Sequence, residues 1–451
     1  MKFRGGYTFK GFEGSAKPVL RELPVSSKIV LPLSGFDGFT LSSSVQSGTK
    51  VDAGMPVLTS PRGSVSAPAS GTISKVDSEK IVIDSDGSSA FSPVADHSRE
   101  PWHLERAAAF DLFRSTGCSL LAGGRFDTLK RCGAVKDIIV NAVNNGPLSQ
   151  HWEPGMLGDE EVFSNGIKVL RALCPEAEIT VAVNRRNRSY FERTDANVTV
   201  VSDKYPQEHP GILSRTIADK PLVSPLGKAD DSVAVVGFSE VVQIAETLTQ
   251  GHPLIDRIVM IAGPGISHPG WYRVRIGTPL TDIRRELIKS DSGGTWRIIR
   301  GDLFTGEGLD TPEGSILFGD REISVIHEHT TRALFSFMMP GFAADSYSKT
   351  TAAEYLPLIP KKLDTSVHGG VRPCVQCNYC DEVCPVDIYP FLIWKHVEAD
   401  MTEESFRLRP YDCIACGLCD YVCPSKIDIM SSVTLSKEKY REIKGVADVS
   451  D

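Results

Sequence analysis

Cys374-Val375-Gln376-Cys377-Asn378-Tyr379-Cys380-Asp381-Glu382-Val383-Cys384-Pro385 and, further on, Cys413-Ile414-Ala415-Cys416-Gly417-Leu418-Cys419-Asp420-Tyr421-Val422-Cys423-Pro424 repeat one spacing, C-x2-C-x2-C-x3-C-P. Three thiolates in so tight a loop wrap three corners of a [4Fe–4S] cube, and the proline after the fourth turns the chain toward a neighbouring cube. Cys374, Cys377, Cys380 and Cys423 are therefore expected to hold one cluster, and Cys413, Cys416, Cys419 and Cys384 the other. Structural zinc also uses C-x-x-C pairs, but it needs four ligands and has no use for a third cysteine at the same short spacing twice over. The flanks repeat too, Val383-Cys384-Pro385-Val386-Asp387-Ile388 answering Val422-Cys423-Pro424-Ser425-Lys426-Ile427. The chain is thus expected to carry electrons. The other cysteines, Cys118, Cys132 and Cys174, show no metal spacing and read as small buried hydrophobes.

Working outward, the 451 residues are 41% hydrophobic and 24% charged, enough for several domains with separate cores. No stretch approaches the ~20 apolar residues that cross a bilayer, and Met1-Lys2-Phe3-Arg4-Gly5-Gly6 precedes no signal-like apolar core. A cytoplasmic location follows as the expectation, where thiolates survive to bind clusters. The net charge of −8 argues against nucleic acid as a partner. Acidic residues outnumber basic ones around the cysteine runs, which admits a basic docking partner or simply a solvated acidic face.

Residues 1–103 contain short β segments cut by glycines, Val45-x-x-Gly48-x-x-Val51-x-x-Gly54-x-x-Val57 and then Ala67-Pro68-Ala69-Ser70-Gly71-Thr72-Ile73. They resemble a lipoyl-type barrel-sandwich hybrid. The tip, Thr59-Ser60-Pro61-Arg62-Gly63-Ser64, lacks a carrier lysine, so a scaffold or docking module is expected. From 104 to 265 apolar runs alternate with helical stretches. Strands are predicted at Asp137–Val143, Glu178–Val183, Val198–Ser202, Ser232–Phe238 and Arg257–Ala262, with helices near Glu160–Leu173 and Ser239–Thr249. This predicts a layered, Rossmann-like α/β domain with a largely parallel sheet. Short β runs return over 266–354. A helical two-cluster domain with helices near Ile388–Ala399 and Thr402–Leu408 occupies 355–451.

Taken together, Phe3-Arg4-Gly5-Gly6, Lys204-Tyr205-Pro206-Gln207, Gly263-Pro264-Gly265, Pro269-Gly270 and Arg275-Ile276-Gly277-Thr278-Pro279 resemble the family of Rnf-complex C subunits and of sodium-translocating NADH:quinone reductase A subunits. The resemblance implies a β-grasp-like fold for 266–354 and a peripheral subunit of a membrane-bound oxidoreductase complex. Such a subunit lies on the inner face of the membrane and relays electrons between a soluble donor or acceptor and membrane subunits. Two clusters are an Rnf trait, whereas Met339-Pro340-Gly341-Phe342 is closer to the quinone-reductase relative. Flavin- and NADH-binding members use a loop G-G-A-G-F-P-T and a later acidic segment. Here the loop reads Gly123-Gly124-Arg125-Phe126-Asp127-Thr128 and the later segment Asn144-Asn145-Gly146-Pro147, so two glycines remain and the acids are gone. Gly123 and Gly124 stay candidates for FMN or NADH phosphate, and a vestigial loop kept for packing is the favoured reading. Two alternatives stand beside the relay: a flavin-dependent NADH-oxidising subunit, and an assembly or docking protein with structural clusters. His327-Glu328-His329 lacks the i,i+4 spacing of a helical zinc site.

Overall fold

The computed structural model describes residues 3–9, 12–33, 36, 38–43, 45–94, 100–121, 126, 128–149, 152–156, 158, 160–220, 232–289, 295–309, 314–330, 363–365 and 370–444. Gly123, Gly124, Arg125 and Asp127, and the stretch Met339-Pro340-Gly341-Phe342, lie outside them.

Near the N-terminus the glycine-cut segments form two small antiparallel sheets. One joins Lys28–Pro32, Lys80–Ser85, Gly71–Val76 and Lys50–Val51, and the other Thr40–Leu41, Pro56–Ser60 and Gly63–Ser66. Alternation sends Ile29, Leu31, Val57, Val65, Ile73, Ile81 and Ile83 into one shared core. The hairpin tip is not a free arm. Ser119 Oγ donates to Arg62 O at 2.7 Å, and Arg114 Nη1 to Pro61 O at 3.2 Å, fastening it to the next domain.

That domain has four parallel strands in the order Asn197–Val200, Glu178–Val183, Asp137–Ala142, Val233–Gly237. Helix Glu160–Leu173 starts on two acids, which suit the positive end of its dipole, and turns Phe163, Ile167 and Leu170 inward. It meets helix Phe238–Gln250 closely because Gly166 has no side chain: a Cβ there would lie 2.6 Å from Val241 O. The rings of Phe163 and Phe238 stack at 4.8 Å. Helix Pro210–Ile217 buries Leu213 with Ile139, Val143 and Val233 on the opposite face. Crossovers leave Asp137–Ala142 to one side and return on the other, creating a switch point beside Val233–Gly237.

The predicted strand at Arg257–Ala262 is present as Asp256–Ala262, but it pairs elsewhere. It belongs to a mixed six-stranded sheet ordered Leu20–Glu22, Gly270–Arg275, Asp256–Ala262, Glu322–His327, Trp296–Arg300, Glu307–Leu309. Its antiparallel pairing with Gly270–Arg275 explains the choice of partner. The register brings Arg273 to Asp256 at 3.1 Å and to Glu246 of the preceding helix at 2.9 Å. Beneath, fully buried Arg257 donates to Glu240 at 2.9 Å and to Gln243 at 2.7 Å. The helical C-terminal region contains Tyr379–Val383, Pro390–Glu398, Leu418–Val422 and Ile429–Lys444, with short 3-10 turns at Glu404–Leu408 and Pro410–Asp412. Among the described residues, no helix is long and apolar enough to cross a membrane.

Candidate iron–sulfur centre

The duplication seen in the cysteine spacing extends to the backbone. Gln376 and Ala415, at the same offset in the two runs, have φ of 55° and 52°; Asn378 and Gly417 have 60° and 74°; Asp387 and Lys426 have 54° and 55°. Left-handed residues aim successive N–H groups into a concavity that suits an anion. Gln376 N donates to Cys374 Sγ at 3.4 Å and Ala415 N to Cys413 Sγ at 3.3 Å. A short helix follows each loop, Tyr379–Val383 in the first and Leu418–Val422 in the second.

Two cavities lie between these loops. Cys374, Cys377, Cys380 and Cys423 line one, closed by Phe391, Trp394, Ile427 and Ile429. Cys384, Cys413, Cys416 and Cys419 line the other, with Val386, Leu418, Met430 and Val433, and Cys380 touches its wall as well. Each run thus sends three cysteines to one cavity and its fourth to the neighbour. Tetrahedral zinc at ~2.3 Å from each sulfur needs thiolates roughly 3.8 Å apart. Among the described residues no three His, Cys, Asp or Glu are grouped so as to hold a single ion. Four thiols around an apolar-walled space, repeated in both runs, suit a cube.

Burial pushes the Cys380 thiol up to about 12 and Cys384 up to about 11, and raises Cys413, Cys416, Cys419 and Cys423 as well. Burial opposes the thiolate form at these six, so loading them with metal would expel protons. Two carboxylates that spacing alone did not single out support the loops. Asp420 Oδ1 accepts from Ile429 N at 2.8 Å and Met430 N at 3.0 Å, starting the last helix, and lies 3.7 Å from Cys419 Sγ. Its twin Asp381 lies 3.8 Å from Cys380 Sγ and is raised by burial against the opposing Phe391 N–H. The signal was there in Cys-Asp recurring at the same point of both runs.

The N-terminal segment closes over the turn that carries Cys384 to the second cavity. Gly6 N donates to Val383 O at 2.8 Å, and a Cβ on Gly5 would stand 2.5 Å from Cys384 O. Tyr205 Oη donates to Cys416 O at 3.1 Å. Gly417 lies against Phe304, whose ring packs with Phe9 at 5.4 Å and Tyr421 at 5.1 Å. Three separate chain segments therefore meet around the cavity of Cys384, Cys413, Cys416 and Cys419.

Behind them, at the switch point of the parallel sheet, lies a crevice of about 460 Å³ between the α/β domain and the six-stranded sheet. Ligands of open α/β folds bind at such places. Its walls include Asn141, Asn144, Glu208, Asp302 and Glu322. Burial pushes Glu208 and Glu322 each up to about 8, with Asp302 adding to both. The nearby cations are already engaged, Arg300 by Asp320 at 3.3 Å and Arg321 by Glu240 at 2.9 Å. Asn145 is occupied as well: it donates to Ser202 O and Lys204 O at 3.1 and 3.2 Å and accepts from Asn184 at 2.9 Å. Of the other sequence candidates, Glu328 pairs with Arg297 at 2.6 Å and His327 stacks on Trp296 at 3.9 Å. Cys118, Cys132 and Cys174 are buried in the core.

Residues 373–427 match the family model of the 4Fe-4S dicluster domain, and residues 128–253 that of the NqrA second alpha/beta domain. The chain is 25% identical over 404 residues to the A subunit of the Na(+)-translocating NADH-quinone reductase of Yersinia pseudotuberculosis, spanning 87% of this chain and 88% of that one. It is 27% identical over 274 residues to the same-named protein of Actinobacillus pleuropneumoniae, spanning 60% and 59%. Among solved structures, an NAD+-reducing [NiFe]-hydrogenase in the air-oxidised state aligns with a TM-score of 0.40 and 11% identity, over 80% of this chain and 74% of that one.

Proposed function

We propose that this chain, a relative of the NADH:quinone reductase A subunits that also carries a 4Fe-4S dicluster domain, relays electrons through two [4Fe–4S] clusters as a peripheral subunit of a membrane-bound Rnf/Nqr-like complex. Cys374, Cys377, Cys380 and Cys423 hold one cluster, and Cys413, Cys416, Cys419 and Cys384 the other. The observation that carries this reading is the sorting of the eight thiols into two adjoining cavities, three from one run and one from its copy in each. The clusters supply one-electron chemistry. The chain supplies thiols, N–H groups aimed at sulfur and apolar walls that keep water away, so that an electron is held without a proton having to follow. Attachment to membrane subunits is through protein surfaces.

NADH oxidation by the chain itself is not supported by its crevice. A dinucleotide brings two phosphates, and the cations that line the walls, Arg300 and Arg321, already pair with Asp320 and Glu240.

Cys384→Ser tests the ligand sets. The loaded protein should contain about eight iron and eight sulfide per chain. The variant should lose the cluster of Cys413, Cys416 and Cys419 and keep that of its own run, as read by iron content and electron paramagnetic resonance. Loss of the cluster of Cys374, Cys377 and Cys380 instead overturns the crossed assignment.

A further inference from the structure

The two cysteine loops are copies, yet the rest of the chain covers only one of them. Val375, Gln376 and Asn378 line the cavity of Cys374, Cys377, Cys380 and Cys423 and are exposed, Val375 to 65%. Val371, just before the loop, is 74% exposed. Its segment runs along the wall of the same cavity: Arg372 N donates to Ser425 O at 2.8 Å and Ser425 Oγ to Pro373 O at 2.9 Å, and Ser425 is part of that wall.

At the same offsets the second copy is closed. Pro410 and Gly417, which answer Val371 and Asn378, are buried, and Ile414, which answers Val375, is half-buried. Of the four offsets, only that of Gln376 and Ala415 is exposed in both copies. The cover is protein from elsewhere in the chain. Phe304 stands 2.9 Å from where a Cβ on Gly417 would lie, and Tyr205 Oη donates to Cys416 O at 3.1 Å.

A lone exposed valine needs no explanation. Two beside the roof of one cluster cavity, at offsets that the copy shields with protein, point to a protein as the missing cover. The size of the patch selects its kind. Val371, Val375, Gln376 and Asn378 make a small footprint, and transient electron-transfer encounters sit at the low end of interface sizes, below roughly 1,200 Å², whereas permanent subunits bury more. No acidic or basic side chain other than the thiols lines this cavity, so the contact is made by shape and neutral surface.

We propose that this roof is the chain's outer electron port, the surface on which a small one-electron carrier protein docks to exchange electrons with the cluster of Cys374, Cys377, Cys380 and Cys423. One electron passes between the carrier's metal centre and the cube, and no atom moves with it. The inference rests on the ligand sets proposed above, which iron content and the Cys384→Ser outcome judge separately.

The experiment mixes the full, cluster-loaded chain, reduced with dithionite and freed of the excess, with oxidised cytochrome c as the probe. A cluster loses one electron and the haem iron gains it, followed by stopped-flow absorbance. The double variant Val371→Asn, Val375→Asn should slow this reaction at least about fivefold, the scale of losing an interface anchor. Its iron content, paramagnetic signals and potentials should stay in place, and ferricyanide, too small to need a docking face, should be reduced as fast as before. Ile443→Asn, which alters an exposed apolar residue of the last helix, should leave both rates as they are. Cys423→Ser, which removes the cluster beneath the roof, should lose more of the cytochrome c rate than Cys384→Ser. Should the double variant lose iron, Val371→Asn alone takes its place. An unchanged cytochrome c rate in the valine variants, equal slowing of ferricyanide, a greater loss in Cys384→Ser, or a dimer in sedimentation that the valine variants dissolve overturns the proposal.

Discussion

Gly5→Ala should remove one cluster from a site built almost four hundred residues further along the chain. Gly5 has φ of 64°, and a Cβ there would stand 2.5 Å from Cys384 O, 2.7 Å from Val383 O and 2.8 Å from Cys384 C. All three are backbone atoms of the turn that presents Cys384, so no flexible side chain can swing aside. The left-handed conformation costs a non-glycine residue roughly 1–2 kcal/mol, and crowding a methyl into packed backbone roughly 1–3 kcal/mol more. Gly48→Ala isolates the first part, because Gly48 has φ of 88° with nothing within 4 Å of its would-be Cβ. The expected outcome is a Gly5→Ala protein with about half its iron, missing the signal of the cluster held by Cys384, beside a Gly48→Ala protein with full iron and slightly reduced stability. The signals are assigned by comparison with Cys384→Ser. Equal iron in the two glycine variants, or loss from the cavity of Cys374 instead, refutes the idea that the N-terminal segment braces this turn.

Burial alone would raise the Glu240 carboxyl, but the Arg321 and Arg257 guanidiniums beside it win and hold it at about 2. Glu240→Gln should therefore cost roughly 3–5 kcal/mol by leaving Arg257 buried and unpaired, measured by denaturant unfolding. Because the folded value lies below the ordinary 4.5, this contribution is complete above pH 4.5 and should fade as pH falls toward 2. Glu208 and Glu322 act in the opposite sense: their folded values, about 8, lie above 4.5, so the folded state holds protons that the unfolded chain has shed between those limits. Stability should fall by about 1–2 kcal/mol from pH 5 to pH 8, discounted for water entering the crevice, and Glu322→Gln should flatten the slope in thermal melts across that range. Calorimetric titration with NADH should give no binding at micromolar concentration, and heat of micromolar affinity in the unaltered chain contradicts the account of a crevice whose cations are already paired.

Much of this molecule is legible in its sequence, for a physical reason. The cysteine runs and the parallel strands are local patterns, fixed by loop geometry and by side-chain periodicity, so Glu160–Leu173 and Glu178–Val183 appear with the bounds their sequence suggested. Asp256–Ala262 is legible as a strand and not by its sheet. Its allegiance is decided by Arg273 across the hairpin and by Leu20–Glu22, which arrives from near the N-terminus to pair beyond Gly270–Arg275. Pairing between distant segments leaves no period in either.

The same distinction separates the parts of the iron–sulfur site. Cysteine spacing states which thiols share a loop, because a few residues cannot reach far. It does not state what lies against the site, and here that is Gly5, Tyr205 and Phe304, from three different regions.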